Sequence, residues 1–408
     1  MTLDAGFGVS RLAGKDALDQ VWKVLPEARL VGGVVRDLLA GRPSMDIDLA
    51  TPLPPDAVIQ RLSQAGLRTI PTGLAHGTVT ALVLDHPIEI TTLRRDEATD
   101  GRHAVVAWTT DWREDAARRD FTINAMSLTR DGVLHDYFGG AADLAAGHVR
   151  FVGLASKRIE EDALRMLRYF RFQARYGTGA PDREAVDAIA AALPALDGLS
   201  AERVWSELRR ILLAPDPAAT LLLMQSLGVL DRLLPGGAAA DRLVRRLAHL
   251  AIPEEVAGDP VLRLAALVRG PAGPVADALR LSRAEAEQLA ALLADRPAPV
   301  AGLDDAALRR MLADEPASLL LGRGWLRHDG GNPGGWCAVC ARLRAMAPPV
   351  FPLAGRDLLA IGLPAGPALG RLLAATRGWW LQGGCSADHA ACLAHCLDRA
   401  REAGVLAK

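Results

Sequence analysis

Strand-forming patterns stop near residue 150. Before that point, apolar runs of strand length alternate with short helical stretches. Leu30-Val31 and Asp46 to Ala50 read as strands, with Val34 to Leu39 a short helix between them. Thr78 to Leu84 and Ile88 to Leu93 read as a β-pair turned at Asp85-His86-Pro87. Beyond residue 150 the chain is Ala/Leu/Arg-rich with helical spacing, punctuated by Pro and Gly at 215–217, 234–237, 270–273 and 330–335. The economical architecture is α+β: an N-terminal α/β head with a mixed sheet over residues 1–150, then an all-helical neck (151–215), body (216–335) and tail (336–408). A chain of 408 residues is too long for one ordinary core and implies about two to four structural units. No internal repeat of fixed period is visible.

Half the residues are apolar and 23% are charged, the balance of a globular protein rather than a disordered one. The net charge of −1 does not exclude a polyanionic partner, because binding needs only a local basic stripe. No apolar run approaches the ~20 residues of a membrane span. Met1 to Leu12 lacks the basic-then-apolar pattern of a signal peptide. The five cysteines are odd in number and all lie beyond residue 336, which argues against a disulfide framework and for the reducing cytoplasm. Cys337 and Cys340, with Cys392, Cys396, His389 and His395, have partial zinc spacing; simple burial in Ala-rich helices is the competing reading.

Asp46-Ile47-Asp48 carries the first chemistry. On a strand the two carboxylates project to one face, about 7 Å apart, while Ile47 and Leu49 point into the core. Paired carboxylates repel unless a cation sits between them, and Mg²⁺ held by one or two carboxylates plus substrate phosphates is the usual solution. Ten residues upstream, Leu30-Val31-Gly32-Gly33-Val34-Val35-Arg36 reads as strand, Gly pair, helix. Glycines at that junction let backbone N–H groups approach a phosphate, and Arg36 lies one turn into the helix.

The stretch from Leu30 to Thr51, LVGGVVRDLLAGRPSMDIDLAT, resembles the nucleotidyltransferase signature. More narrowly, it resembles the class II head shared by bacterial CCA-adding enzymes and bacterial poly(A) polymerases. The resemblance implies that Asp46 and Asp48 hold two Mg²⁺ ions and that Gly33 and Arg36 contact a triphosphate. Glu89, on a later strand, is a candidate third catalytic carboxylate. Arg118-Arg119-Asp120-Phe121-Thr122-Ile123-Asn124-Ala125-Met126 is similar to the second class II motif, which implies that Asp120 reads the sugar and Arg119 the nucleotide.

Residues 161–175 are read as one amphipathic helix. Ala163, Met166, Leu167, Phe170 and Ala174 fall on one arc; Glu161, Arg165, Arg168, Arg171 and Arg175 fall on the other. A polar face of almost one sign needs an anionic neighbour, and a triphosphate or RNA backbone would supply it. Glu161-Asp162-Ala163-Leu164-Arg165 resembles the class II base-recognition motif, with Asp162 and Arg165 as helical neighbours. Cytosine and adenine each show an amino donor beside a ring-nitrogen acceptor, so a carboxylate with a guanidinium fits C and A but not U or G. By the same resemblance Arg168 and Arg171 contact the nucleotide and Glu161 orients its neighbours. Arg94 to Glu114, containing Asp100 to His103, corresponds to the family's flexible loop. Arg203 to Leu212 continues the neck, and Gly355 to Pro367 resembles the tail that grips tRNA, with Arg356 and Arg371 as phosphate contacts.

The function implied is template-independent addition of CMP and AMP, from CTP and ATP, to the 3′ end of tRNA, with Mg²⁺ as cofactor. No membrane and no obligatory protein partner are expected. A poly(A) polymerase on the same head is the nearest alternative, although those relatives tend to carry long basic C-terminal extensions. A non-catalytic RNA-binding protein and a small-molecule nucleotidyltransferase are further alternatives, and neither needs the full motif set.

Overall fold

A computed structural model of the chain describes residues 9, 12–44, 46–99, 104–249, 252–328 and 332–405. It forms two compact units, Met1–Leu233 and Leu234–Lys408. Among the described residues every strand lies before residue 137, with only isolated bridges beyond, so the α+β division is as the sequence implies.

The first unit opens with α1 (Lys15–Val24), followed by β1 (Arg29–Val31), α2 (Gly33–Leu39), β2 (Ile47–Thr51) and α3 (Pro55–Gln64). Then come β3 (Arg68–Gly73), β4 (Thr78–Val83), β5 (His86–Thr92), β6 (Arg94–Thr99) and β7 (Ala104–Trp108). After α4 (Trp112–Ala117), the short strands β8 (Met126–Leu128) and β9 (Leu134–Asp136) complete a seven-stranded sheet of order β3-β4-β5-β2-β1-β8-β9. Only β2 and β5 run parallel, so the sheet is mixed; β6 and β7 form a separate two-stranded ribbon. Asp100 to His103 lie outside the described residues. One face of the sheet is sealed by α1: Leu18, Val21, Trp22 and Leu25 pack with Leu30, Ile47, Leu49, Val79, Ile88 and Ile90, all 3% exposed or less. Alternation then leaves Asp48 and Glu89 on the other face.

The hairpin between β4 and β5 turns at Leu84-Asp85, not at Asp85-His86-Pro87. Both turn residues take positive φ, 49° and 62°, as a two-residue hairpin matched to strand twist requires. His86 and Pro87 are already in β5, and Pro87 needs no ladder donor toward β2 because that pairing begins at Ile88.

Beyond β9 come α5 (Gly140–Ala146), α6 (Ala155–Glu161), α7 (Leu164–Tyr176), α8 (Arg183–Ala192) and α9 (Ala201–Leu212). The single helix expected over 161–175 is broken at Asp162. That residue is extended (φ −158°, ψ 107°), and its Oδ1 accepts from the Leu164 N–H at 3.0 Å, offering the backbone an alternative to the helical bond. Helix α7 also buries more than one arc: Leu164, Tyr169, Phe172 and Tyr176 join Met166, Leu167, Phe170 and Ala174.

Gly140 opens α5 against the segment that carries Asp120 and Asn124. A Cβ there would lie 2.1 Å from the Thr122 carbonyl oxygen, closer than contact permits. Gly140→Ala is therefore expected to destabilise the first unit by about 1–3 kcal/mol, read as a lowered midpoint in urea unfolding.

The second unit is helical throughout its described residues, and arginines close its helix ends. Arg242 donates to the carbonyls of Ala265, Ala266 and Val268 at the end of helix Pro260–Leu267. Arg246 does so to Trp325 and His328 at the end of Ala317–Arg327, and Arg327 to Ala294 beyond Arg283–Leu293. Arg309 and Arg310 serve helix Pro367–Gln382 through Gly384 and Gln382. Such pairing satisfies orphan carbonyls and complements the negative helix end. Arg323 is fully buried with a two-pronged bond to Glu315. Among the described residues no helix is long and apolar enough to cross a membrane.

Candidate active site

The carboxylates come from adjacent strands. Asp48 on β2 and Glu89 on β5 are register partners, and Asp46, just before β2, is near enough for its charge to act on Asp48. Asp46 and Glu89 are exposed, whereas Asp48 is half-buried. Burial, followed by the charges of Glu89 and Asp46, pushes the Asp48 carboxyl up to about 6, with Arg119 opposing. Negative charge is thus in excess here, which suits a divalent cation. Among the described residues no group of three or more His, Cys, Asp or Glu makes a ready metal cage.

On the β1 side of β2 lies the Gly32-Gly33 turn. Gly32 has φ 69° and ψ −125°, and a Cβ on it would meet Arg119 Nη1 at 3.0 Å. A side chain there is strained by the backbone conformation and would have to displace the guanidinium slightly. Arg119 is itself held by Asp115 at 3.2 Å, and Asp115 also takes Arg118 at 3.0 Å. Burial alone would raise the Asp115 carboxyl, but the two arginines hold it below the usual carboxylate range.

Arg36 is nearly enclosed. Its Nη1 donates to Asn124 Oδ1 at 2.6 Å and its other nitrogens to Asp37, while the rings of Phe172 and Tyr176 lie 5.1 and 4.6 Å from the guanidinium. Asn124 donates in turn to Asp120 Oδ1 at 2.9 Å, and Asp120 Oδ2 accepts from Arg168 Nε at 2.8 Å. Burial disfavours the Asp120 charge, yet Arg168, Asn124 and the Phe121 N–H together hold its carboxyl low. From Arg168 the chain of charges reaches buried Glu207 on α9, whose Oε2 lies 3.2 Å from Arg171 Nε. Burial pushes Arg171 down to about 10 despite Glu207, with Arg168 and Arg210 adding like charge, so it remains a cation at neutral pH.

The anions that face the α7 arginines are therefore largely the protein's own, which corrects the expectation that a triphosphate or RNA must supply them. Glu161 takes Arg165 and Arg158; Asp120 and Glu207 take Arg168 and Arg171. Asp162 and Arg165 are not neighbours within one helix, since Asp162 ends α6 and Arg165 begins α7, although the Arg165 N–H still bonds the Asp162 carbonyl at 3.0 Å. Asp162 Oδ2 pairs with Arg203 at 2.7 Å, and Arg165 Nη2 reaches the Arg118 carbonyl at 3.5 Å. Arg165 is thus linked through Arg118 to Asp115, which also holds Arg119.

Sequence reasoning passed over Asn124, Arg203 and Glu207. Asn124 lies within the second class II motif, and Arg203 and Glu207 within the stretch Arg203 to Leu212. Glu207 had a signal of its own: it interrupts the apolar stripe Val204, Leu208, Ile211 of α9, and a carboxylate on a buried face needs cations. In the second unit Arg356 and Arg371 are exposed. Cys337 is exposed, while Cys340, Cys392 and Cys396 are buried free thiols; His395 stacks on Trp379 at 4.2 Å and His389 lies 3.8 Å from Asp357.

Paired carboxylates on a mixed sheet and a glycine turn beside an arginine are the arrangement of a nucleotidyltransferase head. The poly A polymerase head domain matches residues 28–150, and the probable RNA and SrmB-binding site of polymerase A matches 180–241. Mitochondrial CCA tRNA nucleotidyltransferase 1 of Danio rerio is 38% identical over 368 residues, 87% of this chain and 83% of that protein. The CCA-adding enzyme of Geobacillus stearothermophilus is 34% identical over 358 residues, 84% and 85% of the two chains. The crystal structure of the Bacillus stearothermophilus CCA-adding enzyme in complex with CTP superposes with a TM-score of 0.77 at 29% identity, covering 96% of this chain and 98% of that one. This chain belongs to the CCA-adding tRNA nucleotidyltransferase family.

Proposed function

We infer that the chain adds CMP and AMP, from CTP and ATP, to the 3′ end of tRNA and releases pyrophosphate. The observation that carries this reading is the continuity of the site: the charges of Glu89 and Arg119 act on Asp48, Arg119 bonds the Asn124 carbonyl, the Asn124 side chain joins Arg36 to Asp120 and Arg168, and Arg165 bonds the Arg118 carbonyl. Asp46 and Asp48, with Glu89 beside them, would hold Mg²⁺, which when bound neutralises phosphate charge and favours the ionised acceptor hydroxyl. Gly33, Arg36 and Arg119 form the triphosphate side; Asp120 with Arg168 serves the sugar. Glu161 orients Arg165, and Arg171 adds positive charge next to Arg168.

In the reaction the tRNA 3′-oxygen forms a bond to the α-phosphorus, the bond from that phosphorus to the β-bridging oxygen breaks, and the hydroxyl proton leaves through the exposed carboxylates to water. Catalysis is mainly positioning and charge stabilisation. Base choice follows from Asp162 accepting an amino donor while Arg165 donates to a ring nitrogen, so CTP and ATP are taken and UTP and GTP refused. The five unpaired cysteines suit a reducing compartment such as the cytoplasm.

Incubating purified protein and Mg²⁺ with tRNA lacking its CCA end is expected to extend it by three nucleotides with CTP plus ATP. ATP alone is expected to give no long tract. A-tracts without C would instead make the chain a poly(A) polymerase.

A further inference from the structure

Resting on that reading, we propose that Thr80 and Thr72 hold the ribose of the acceptor's last nucleotide through its 2′-hydroxyl. The argument begins with which side of β2 each substrate must occupy. Strand β2 is flanked by β1 on one side and by β5, β4 and β3 on the other. The glycine turn and Arg119 lie on the β1 side, so the triphosphate and its leaving pyrophosphate belong there. Phosphoryl transfer places attacking and leaving oxygens roughly in line. The acceptor hydroxyl therefore arrives from the β5–β4–β3 side.

A continuous polar row lies on that side. Asp48 pairs in register with Glu89, and Glu89 with Thr80, so the three stand side by side across β2, β5 and β4. With strands about 4.8 Å apart, Thr80 lies roughly 10 Å from Asp48, within the reach of one nucleotide. On β3 the register shifts between Ile70 and Gly73, and this irregularity brings Thr72 Oγ1 to 2.7 Å from Thr80 Oγ1. Irregularities of this kind re-aim a side chain, and they concentrate near active sites. Thr72 is exposed at the rim and Thr80 sits behind it. One row further on, Thr78 and Thr91 make a second hydroxyl pair at 3.0 Å.

Each threonine hydroxyl has one donor and two acceptor sites, so a pair joined by one bond keeps one donor and further acceptor capacity for a ligand. A ribose 2′-hydroxyl, itself donor and acceptor and vicinal to the attacking 3′-hydroxyl, matches that capacity; a deoxyribose offers nothing. Such a contact would make the enzyme select RNA ends over DNA ends on the acceptor side, independently of its choice of nucleotide.

The test compares tRNA lacking CCA whose last nucleotide is ribo with the same tRNA ending in a 2′-deoxynucleotide. For the unaltered protein, kcat/KM is expected to favour the ribo acceptor by about tenfold, the worth of one hydrogen bond. In Thr80→Val and Thr72→Val this preference should fall to within about twofold of unity, with KM for CTP and the melting temperature little changed. Thr72→Val, on an exposed edge strand, guards against a folding defect in the other variant. An unaltered protein with no ribose preference would overturn the proposal, as would valine variants that keep it or that lose both acceptors equally. If the unaltered protein extends neither tRNA, the fault lies with the functional reading itself.

Discussion

Asp48→Asn is expected to abolish nucleotidyl transfer, by about three orders of magnitude or more in kcat, while leaving tRNA binding intact. The same substitution should make the metal-free protein more stable at neutral pH. Burial, Glu89 and Asp46 push the Asp48 carboxyl up to about 6, above its ordinary value. A group raised on folding contributes stability that is complete below its unfolded value and is lost as pH rises through the folded one. Above pH 6 the ionised Asp48 is thus a cost that asparagine avoids, on the order of 1–2 kcal/mol after allowance for its partial exposure. Urea unfolding in EDTA at pH 4 and pH 7.5 reads this directly: the variant should gain on the parent only at the higher pH. Added Mg²⁺ should raise the parent's midpoint and not the variant's. Retained transfer, or a stability gap that does not change with pH, would remove Asp48 from the centre of the site.

Asp120→Ala should produce the largest loss of stability among single changes in the site, about 2–4 kcal/mol at pH 7. Alanine strands the Arg168 guanidinium, the Asn124 amide and the Phe121 N–H at once. The direction with pH is opposite to that for Asp48. The Asp120 carboxyl is held low in the folded state, so its contribution is present above its unfolded value and vanishes as pH falls through the folded one. Variant and parent should therefore converge as the medium becomes strongly acidic. At pH 7 the KM for CTP should rise together with a fall in kcat, because Asp120 joins Arg36 through Asn124 to Arg168. A variant as stable as the parent would mean that the buried network is not what holds the neck to the head.

The features that were legible in the chain are those written locally. The strand–glycine–helix run at Leu30 to Leu39 and the alternation of Asp46 to Ala50 specify their elements within a few residues, and both formed as read. The strands β3 and β6 to β9 were not read: β8 and β9 have three residues each and, unlike β1, no glycine–helix run to mark them, while β3 and β6 are too polar to show an apolar alternation and β7 fell in the stretch matched to the flexible loop. The break at Asp162 was hidden by a helical spacing that continues across it. What decides the matter is one side-chain bond to Leu164, an option any Asp possesses and few use. Least visible were the partners of the α7 arginines. Asp120 lies 48 residues before Arg168. Glu207 lies on a different helix, and only folding brings it to Arg171. One-sided charge on a helix announces that an anion is needed without saying whose.

The arginine-closed helix ends of the second unit bear on how a polyanion would perceive this protein. A guanidinium bonded to carbonyls of its own chain is held away from a phosphate, so it displaces fewer of the counterions condensed on the nucleic acid. Only cations free of such duty contribute to the salt dependence of RNA affinity. Counting basic side chains along the sequence would therefore overstate the electrostatic grip, and ionic strength should loosen the complex less steeply than that count implies.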